Sequence, residues 1–142
     1  MTYQEFLESK IELATDSGFV IEPEKVNKIL KPHQRDAVMW ALKGGRRALF
    51  ESFGLGKTVQ EIEFCHLAAE QCGGRALIVL PLGVKQEFTR DAVDVLGYEK
   101  PEYCRTMEEV EKSTSQIVLT NYERVRDGDI RPEYFAATSL DE

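Results

Sequence analysis

Apolar residues follow two different spacings along the chain. The run 76–80 (ALIVL) is entirely apolar, and the run 116–120 (QIVLT) has three consecutive apolar residues at its centre, which is typical of strands buried on both faces of a sheet. Weaker strand patterns occur at 47–51, 102–105 and 135–140. Apolar residues recur every three or four positions in segments that predict helices at 3–14, 25–30, 34–43, 57–71, 84–96, 107–112 and 121–126. Because strands alternate with helices, the pattern predicts an α/β fold, a parallel sheet with helices on both faces.

Composition narrows the classes of protein to consider. The chain has 142 residues, of which 42% are hydrophobic and 30% charged, so it fits one globular domain. A formal net charge of −7 excludes histone-like binding by bulk charge, although local basic contacts stay possible. No apolar run approaches the roughly 20 residues of a membrane-spanning helix. The first residues lack the pattern of a secretory signal, and the three cysteines suggest neither a disulfide framework nor a zinc site, so we expect a cytoplasmic protein without a membrane partner.

A glycine-rich turn is the clearest chemical motif. Residues 51–58 (ESFGLGKT) join a predicted strand to a predicted helix, the context that a phosphate-binding loop requires. Gly54 and Gly56 allow the backbone amides to curl around phosphate oxygens, Lys57 supplies a charge for the β and γ phosphates, and Thr58 offers a hydroxyl to Mg²⁺. Glu51 replaces the first glycine of the usual pattern. The alternative interpretation is a simple turn with an exposed lysine.

The last residues carry a second candidate motif. Leu140, Asp141 and Glu142 place two acidic side chains at the end of a predicted strand. In phosphoanhydride hydrolysis, such an aspartate holds Mg²⁺ through its water shell, and such a glutamate orients or deprotonates the attacking water. The acidic pair is a weak signal alone and a stronger one together with the glycine-rich turn.

Several motifs in order resemble the first RecA-like domain of superfamily-two helicases and translocases, especially the Swi/Snf-like branch. GLGKT (54–58) is that branch's form of motif I, in which the early glycine is normally missing. LKPHQ (30–34) resembles the segment whose glutamine reads adenine, ALIVLPLG (76–83) resembles motif Ia, and IVLTNYE (117–123) resembles motif Ib. LDE (140–142) resembles the start of motif II. The whole is similar to helicase-like proteins of phages and prophages.

The resemblance implies a set of site residues, ATP and Mg²⁺ as ligands, and a nucleic acid as partner, with DNA favoured over RNA. The residues implied in ATP binding are Gln34, Gly54, Leu55, Gly56, Lys57 and Thr58. Mg²⁺ is implied at Thr58 and Asp141, and catalysis by Lys57, Asp141 and Glu142, with Glu142 as the base. The residues implied in contacts with a nucleic-acid strand are Pro81, Leu82, Gly83, Thr120 and Asn121.

The resemblance also predicts the organisation of the chain. We expect an N-terminal helical extension at 1–29 and, at 30–142, part of a RecA-like P-loop NTPase domain that ends at motif II. The family's motif III strand and second RecA-like domain are absent from the sequence, so the chain is expected to be a portion of a longer DNA-dependent ATPase or a truncated relative. Alone, it should bind ATP weakly and hydrolyse almost none. Two alternatives are a non-catalytic interaction module derived from a helicase and another P-loop phosphotransferase.

Some individual side chains keep two interpretations. Lys85, Arg90, Arg124 and Arg126 either add positive charge beside a nucleic acid or lie on solvated helix faces. Tyr122 either stacks on a base or packs at the end of a strand. Trp40 is expected to be a core anchor.

Overall fold

The computed structural model describes residues 18–44 and 56–141. Its α-helices are α1 (Pro32–Gly44), α2 (Lys57–Cys72), α3 (Lys85–Arg90), α4 (Met107–Lys112) and α5 (Tyr122–Arg126), and a π-helical turn (Asp91–Val95) continues α3. Its strands are β1 (Ala76–Val79), β2 (Glu102–Tyr103), β3 (Ile117–Thr120) and β4 (Ala137–Leu140). Each of these elements was predicted from the sequence, whereas the strand at 47–51 and the helix at 3–14 fall outside the described residues.

The four strands form one parallel sheet, in the order β2-β3-β1-β4. This confirms the predicted α/β class. β1 and β3 are the central strands of the described sheet, and all eight of their residues are buried. Their continuous apolar character follows from that position, because neither face of the strand meets water.

The sheet separates two apolar clusters. Successive side chains of a strand point to opposite faces, so Ala76 and Ile78 of β1 lie in one cluster while Leu77 and Val79 lie in the other. The first cluster also takes in the buried faces of α1 and α2. The second contains Val110 of α4 and residues near β4. Burial on both faces fixes the strand register, because a slip of one residue would exchange the two clusters.

The segment before α1 packs on the same core. Ile21, Val26 and Leu30 are buried in the first cluster. The backbone N–H of Asn27 donates to Glu63 Oε2 of α2 at 2.6 Å, and the side-chain amide of Asn27 donates to the carbonyl oxygen of Leu96 at 2.9 Å. The segment is therefore tied to α2 by both apolar and polar contacts.

Two predictions from the sequence are wrong. The helix expected at 25–30 is not formed, and only a 3₁₀ turn at Pro23–Lys25 lies nearby. Asn27 explains the difference, because its side-chain Oδ1 accepts the N–H of Ile29 at 3.1 Å and replaces a helical hydrogen bond. Trp40 is 44% exposed, since α1 buries the face that carries Val38, Ala41 and Leu42 instead.

Within residues 18–44 and 56–141, no helix combines the length and the apolar character needed to cross a bilayer.

Candidate functional site

The carboxyl ends of β1, β3 and β4 lie side by side and define the candidate site. Val79, the last residue of β1, is in register with Thr120 of β3 on one side and with Leu140 of β4 on the other. The residues that follow continue this alignment, since Asp141 donates its N–H to the Val79 carbonyl oxygen at 2.8 Å. Ligands of parallel α/β sheets bind at this edge.

Helix α2 begins at the same edge. Gly56 precedes it with φ +75°, a left-handed conformation that glycine adopts without strain. The N–H of Gln60 makes the first helical hydrogen bond, to the Gly56 carbonyl oxygen at 3.1 Å. The amides of residues 57–59 therefore have no partner within the helix, and they lie at the positive end of its dipole. Gly54 and Leu55, the other predicted loop residues, fall outside the described residues.

Lys57 and Asp141 form an ion pair at the centre of the site. Lys57 Nζ lies 3.4 Å from Asp141 Oδ1, and the side chains are 40% and 11% exposed. The helix that follows the glycine-rich turn and the strand that ends in the acidic motif thus bring their charged residues together. Glu142, the predicted base, falls outside the described residues.

A buried carboxylate lies one helical turn after Lys57. Ser139 Oγ of β4 donates to Glu61 Oε1 of α2 at 2.6 Å, so this bond joins helix and strand directly beside the ion pair. Burial raises the pKa of Glu61 to about 7. The negative charge of Asp141 adds to the rise, while the Ser139 hydrogen bond and the Lys57 charge oppose it.

Gln34 approaches the glycine-rich turn from α1. A Cβ atom built on Gly56 would lie 2.0 Å from Gln34 Nε2, so the carboxamide covers Gly56 closely. The oxygen of the same carboxamide, Gln34 Oε1, accepts the backbone N–H of Lys31 at 2.8 Å. A glutamine at the third position of a helix commonly caps the helix in this way. The predicted adenine-reading residue is therefore buried and held beside Gly56.

The predicted nucleic-acid residues lie at the same edge with different exposure. Pro81, Leu82 and Gly83 follow β1 and are all exposed, with Leu82 at 55%. Thr120 is fully buried, and its hydroxyl donates to the Cys104 carbonyl oxygen at 2.8 Å. Asn121 is also buried, and its Oδ1 accepts the Tyr103 hydroxyl at 2.5 Å. The side chains of Thr120 and Asn121 thus hold their loop in place, while 81–83 face solvent.

Basic residues lie next to this edge. A cavity of about 600 Å³ between α3 and β2 is lined by Lys85, Arg90, Lys100 and Tyr103, among others. Lys85 Nζ lies 4.7 Å from the centre of the Tyr103 ring. Arg124 and Arg126 instead pair with Asp129 at 3.2 Å and with Asp127 at 3.1 Å. Lys85, Arg90 and Lys100 thus line the cavity, with Arg90 also 3.6 Å from Asp91. Arg124 and Arg126 pair instead with acidic residues that follow α5.

The donor groups present fit a magnesium nucleotide. Mg²⁺ in nucleotide sites takes one or two protein oxygens and completes its shell with phosphate and water. Thr58 at the start of α2 and Asp141 supply such oxygens, and Lys57 supplies a cation for phosphate. Among the described residues, no cluster of three or more His, Cys, Asp or Glu side chains is placed to hold a metal ion, so a protein-only metal cage is not found in this part of the chain.

Sequence reasoning missed three contributors to the site: Glu61, Ser139 and the bond between Tyr122 and Asp141. Tyr122 Oη donates to the Asp141 carbonyl oxygen at 2.5 Å. The one available signal was the position of Glu61, an acidic residue on the apolar face of a predicted helix, four residues after Lys57. The other two are pairings between distant segments that no local pattern indicates.

Comparison with known proteins shows the fold. No protein-family model and no curated protein matches the chain. Among solved structures, the crystal structure of the UvsW helicase from bacteriophage T4 is similar, with a TM-score of 0.66 and 21% sequence identity over 100% of this chain. The chain covers 51% of the UvsW chain, and so spans about half its length. The parallel sheet and its helices therefore match a RecA-like domain of a helicase.

Proposed function

We propose that this chain is the ATP-binding portion of a nucleic-acid-dependent ATPase of the helicase or translocase type, and that the longer protein couples ATP hydrolysis to movement on DNA. The observation that carries the proposal is the 3.4 Å pair between Lys57 and Asp141. A lysine that begins a helix after a glycine-rich turn, beside an aspartate at the end of a parallel strand, is the pairing that phosphoanhydride chemistry uses. The helicase-like fold supports the same proposal.

In this proposal the nucleotide lies over the start of α2. The first amides of the helix and the Lys57 ammonium bind the phosphates, and Gly54 and Leu55 complete the loop. Thr58 and Asp141 are the proposed ligands of Mg²⁺, which neutralises phosphate charge when it is bound. Gln34 beside Gly56 is the proposed contact to the adenine.

Hydrolysis requires more than these groups. Glu142 is the proposed base for the attacking water. Arginines supplied to the γ-phosphate in such enzymes accelerate the reaction by about 10³–10⁵-fold, and we assign them to a second RecA-like domain outside this chain. The 142-residue chain is therefore expected to bind ATP weakly and to hydrolyse almost none. Strong DNA-stimulated turnover by this chain would contradict that expectation.

The exposed turn 81–83 and the loop of Thr120 and Asn121 are the proposed contacts to one nucleic-acid strand. Both follow strands of the sheet at the edge where Asp141 lies. A nucleic-acid strand bound there would lie close to the proposed nucleotide site. Coupling of nucleic-acid binding to ATP hydrolysis requires such proximity.

The test of ATP binding is the substitution Lys57→Ala. Removing a charged contact to phosphate costs about 1.5–3 kcal/mol, so the affinity for Mg²⁺–ATP should fall by about 10- to 100-fold. Titration with a fluorescent ATP analogue measures this directly. Lys112→Ala is the matched control, because Lys112 lies on α4 and pairs with Glu108 at 3.0 Å, in a contact that does not involve the site.

The control variant should bind the analogue as the wild-type chain does. Unchanged affinity in Lys57→Ala, in a chain that still melts cooperatively, would refute the ATP-binding role. A partner protein that binds equally well to Lys57→Ala and without ATP would instead favour the interaction-module alternative.

A further inference from the structure

Tyr122 connects two parts of the candidate site that are separated by a strand. It follows β3, whereas Asp141 follows β4, and β1 lies between these two strands. The Tyr122 hydroxyl nevertheless donates to the Asp141 carbonyl oxygen at 2.5 Å. Neighbouring strands lie about 4.8 Å apart, so β3 and β4, on either side of β1, are separated by about 10 Å. The tyrosine therefore spans the end of β1.

The residues just before Tyr122 are held by β2, which pairs with β3 on the side away from β1. Asn121 accepts the Tyr103 hydroxyl of β2 at 2.5 Å, and Thr120 donates to Cys104 at 2.8 Å. Both residues are buried, whereas Tyr122 is 38% exposed. A displacement of Thr120 and Asn121 would therefore be transmitted to Asp141, the residue after β4, through the hydrogen bond of Tyr122.

Asp141 is held at two different atoms. Its carboxylate faces Lys57, and its carbonyl oxygen accepts Tyr122. That carbonyl belongs to the peptide group that joins Asp141 to Glu142. Because a peptide group is planar, a bond that fixes the carbonyl also fixes the plane of that peptide group.

We propose that Tyr122 couples nucleic-acid binding to the acidic motif, with its ring as a stacking surface for a base and its hydroxyl as the group that positions Asp141. This inference rests on the function proposed above and adds a residue role to it. Tyr122 is a positioning residue, since it acts on the phosphate site through Asp141. Base stacking on an exposed tyrosine is independent of sequence, as a translocating protein requires.

The substitution Tyr122→Phe separates the two roles. It keeps the ring and removes the hydroxyl, so affinity for a labelled oligothymidylate should stay within about 2-fold of wild type. The coupling factor is the ratio by which saturating oligothymidylate changes the affinity for a non-hydrolysable Mg²⁺–ATP analogue. We expect this factor to be about 5-fold or more in the wild-type chain. In Tyr122→Phe this factor should fall close to one, although each ligand still binds.

The substitution Tyr122→Leu removes both groups. Loss of one base stack should weaken oligothymidylate binding by about 5- to 100-fold. The slope of log K against log salt should stay unchanged, because stacking releases no counterions from phosphate. Tyr134→Phe is the matched control, since Tyr134 is 48% exposed and its hydroxyl lies 3.5 Å from Arg75, in a contact separate from that of Tyr122.

The outcomes distinguish the two proposals. If the wild-type chain binds neither ligand, the proposed function fails. If it binds both and the coupling factor is one, or if Tyr122→Phe keeps the wild-type factor, the coupling role of Tyr122 is refuted and the proposed function stands. A coupling factor lost equally in Tyr134→Phe would also refute the role, since the effect would then be general.

Discussion

Gln34 of α1 lies in close contact with Gly56, the residue that precedes α2. The Gln34 side chain makes two contacts. Its Oε1 caps α1 by accepting the backbone N–H of Lys31, and its Nε2 lies against Gly56. A side chain at position 56 would have to push the carboxamide away. The glycine is therefore needed for its left-handed φ and also for the space that Gln34 occupies.

The substitution Gly56→Ala tests both requirements. The left-handed conformation alone should lower the free energy of unfolding by about 1–2 kcal/mol. The displaced Gln34 should add about 0.5–1.5 kcal/mol through its lost capping bond. Urea denaturation measures the sum, and titration with an ATP analogue shows whether the displaced glutamine also weakens nucleotide binding.

Gly97 provides the matched control for this measurement. It has the same φ of +75°, but a Cβ atom there would meet nothing within 4 Å. Gly97→Ala should thus carry the conformational cost alone. Equal losses in the two variants would show that the contact with Gln34 contributes nothing. The excess should vanish when Gly56→Ala is introduced into a chain that already carries Gln34→Ala and is compared with that chain.

At the scale of elements, α2 is the helix that assembles the site. Its first turns direct Lys57 and Glu61 towards β4, and its next turn directs the buried Glu63 towards Asn27 in the segment before α1. β4 has little apolar character, with Thr138 and Leu140 exposed. Its placement therefore depends on backbone pairing with β1 and on the bond from Ser139 to Glu61.

Glu61 gives this contact between helix and strand a pH dependence. Burial raises its pKa from 4.5 to about 7, so between these values the folded chain binds more protons than the unfolded chain. The free energy of unfolding that this group contributes therefore falls as pH rises from about 4.5 to 7 and is constant above. The charged and titratable neighbours are Lys57, Asp141 and Cys65.

The substitution Glu61→Gln removes the titration and keeps an acceptor for Ser139. In metal-free buffer, the variant should gain stability relative to wild type as pH rises from 5 to 8, by at most about 3 kcal/mol. Urea denaturation at several pH values measures the difference. Glu111→Gln, at an exposed position of α4, should show no such trend, and a difference that shrinks with rising pH would contradict the interpretation.

At the scale of the whole molecule, the net charge of −7 sets how a nucleic acid can bind. A net negative charge repels a polyanion at long range, so the proposed binding has to rest on a few local contacts. The cavity lined by Lys85 and Lys100 is one candidate, because Tyr103, which also lines it, donates its hydroxyl to Asn121. Two or three phosphate contacts to a single strand give a slope of log K against log salt of about −1.4 to −2.

A salt series with Lys85→Gln checks this expectation. The variant should lower the magnitude of the slope by about 0.7, the value for one phosphate contact to a single strand. Lys112→Gln removes an equal charge on α4 and should leave the slope unchanged. A steep slope in the wild-type chain, or equal effects of the two variants, would show that binding does not run through this cavity.

The sequence by itself determined the elements and the fold class. Continuous apolar runs predict buried strands because a parallel sheet hides both faces, and the spacing of apolar residues predicts helices because one face of each must be buried. The order of strands and helices then predicts the parallel α/β sheet, which the structure confirms. The segment at Asn27 was predicted wrongly because a side chain took a hydrogen bond that the helix pattern assigns to the backbone.

Only the tertiary structure decided which side chains meet. That Glu61 reaches Ser139 and that Tyr122 reaches Asp141 across β1 depends on strand order and on the register of β4 against β1. That Gln34 covers Gly56 depends on the packing of α1 against α2. Such contacts join residues far apart in the chain, and their partners become neighbours only after the sheet has formed. Local patterns predict which face of each segment is buried. They do not specify which other segment packs against that face.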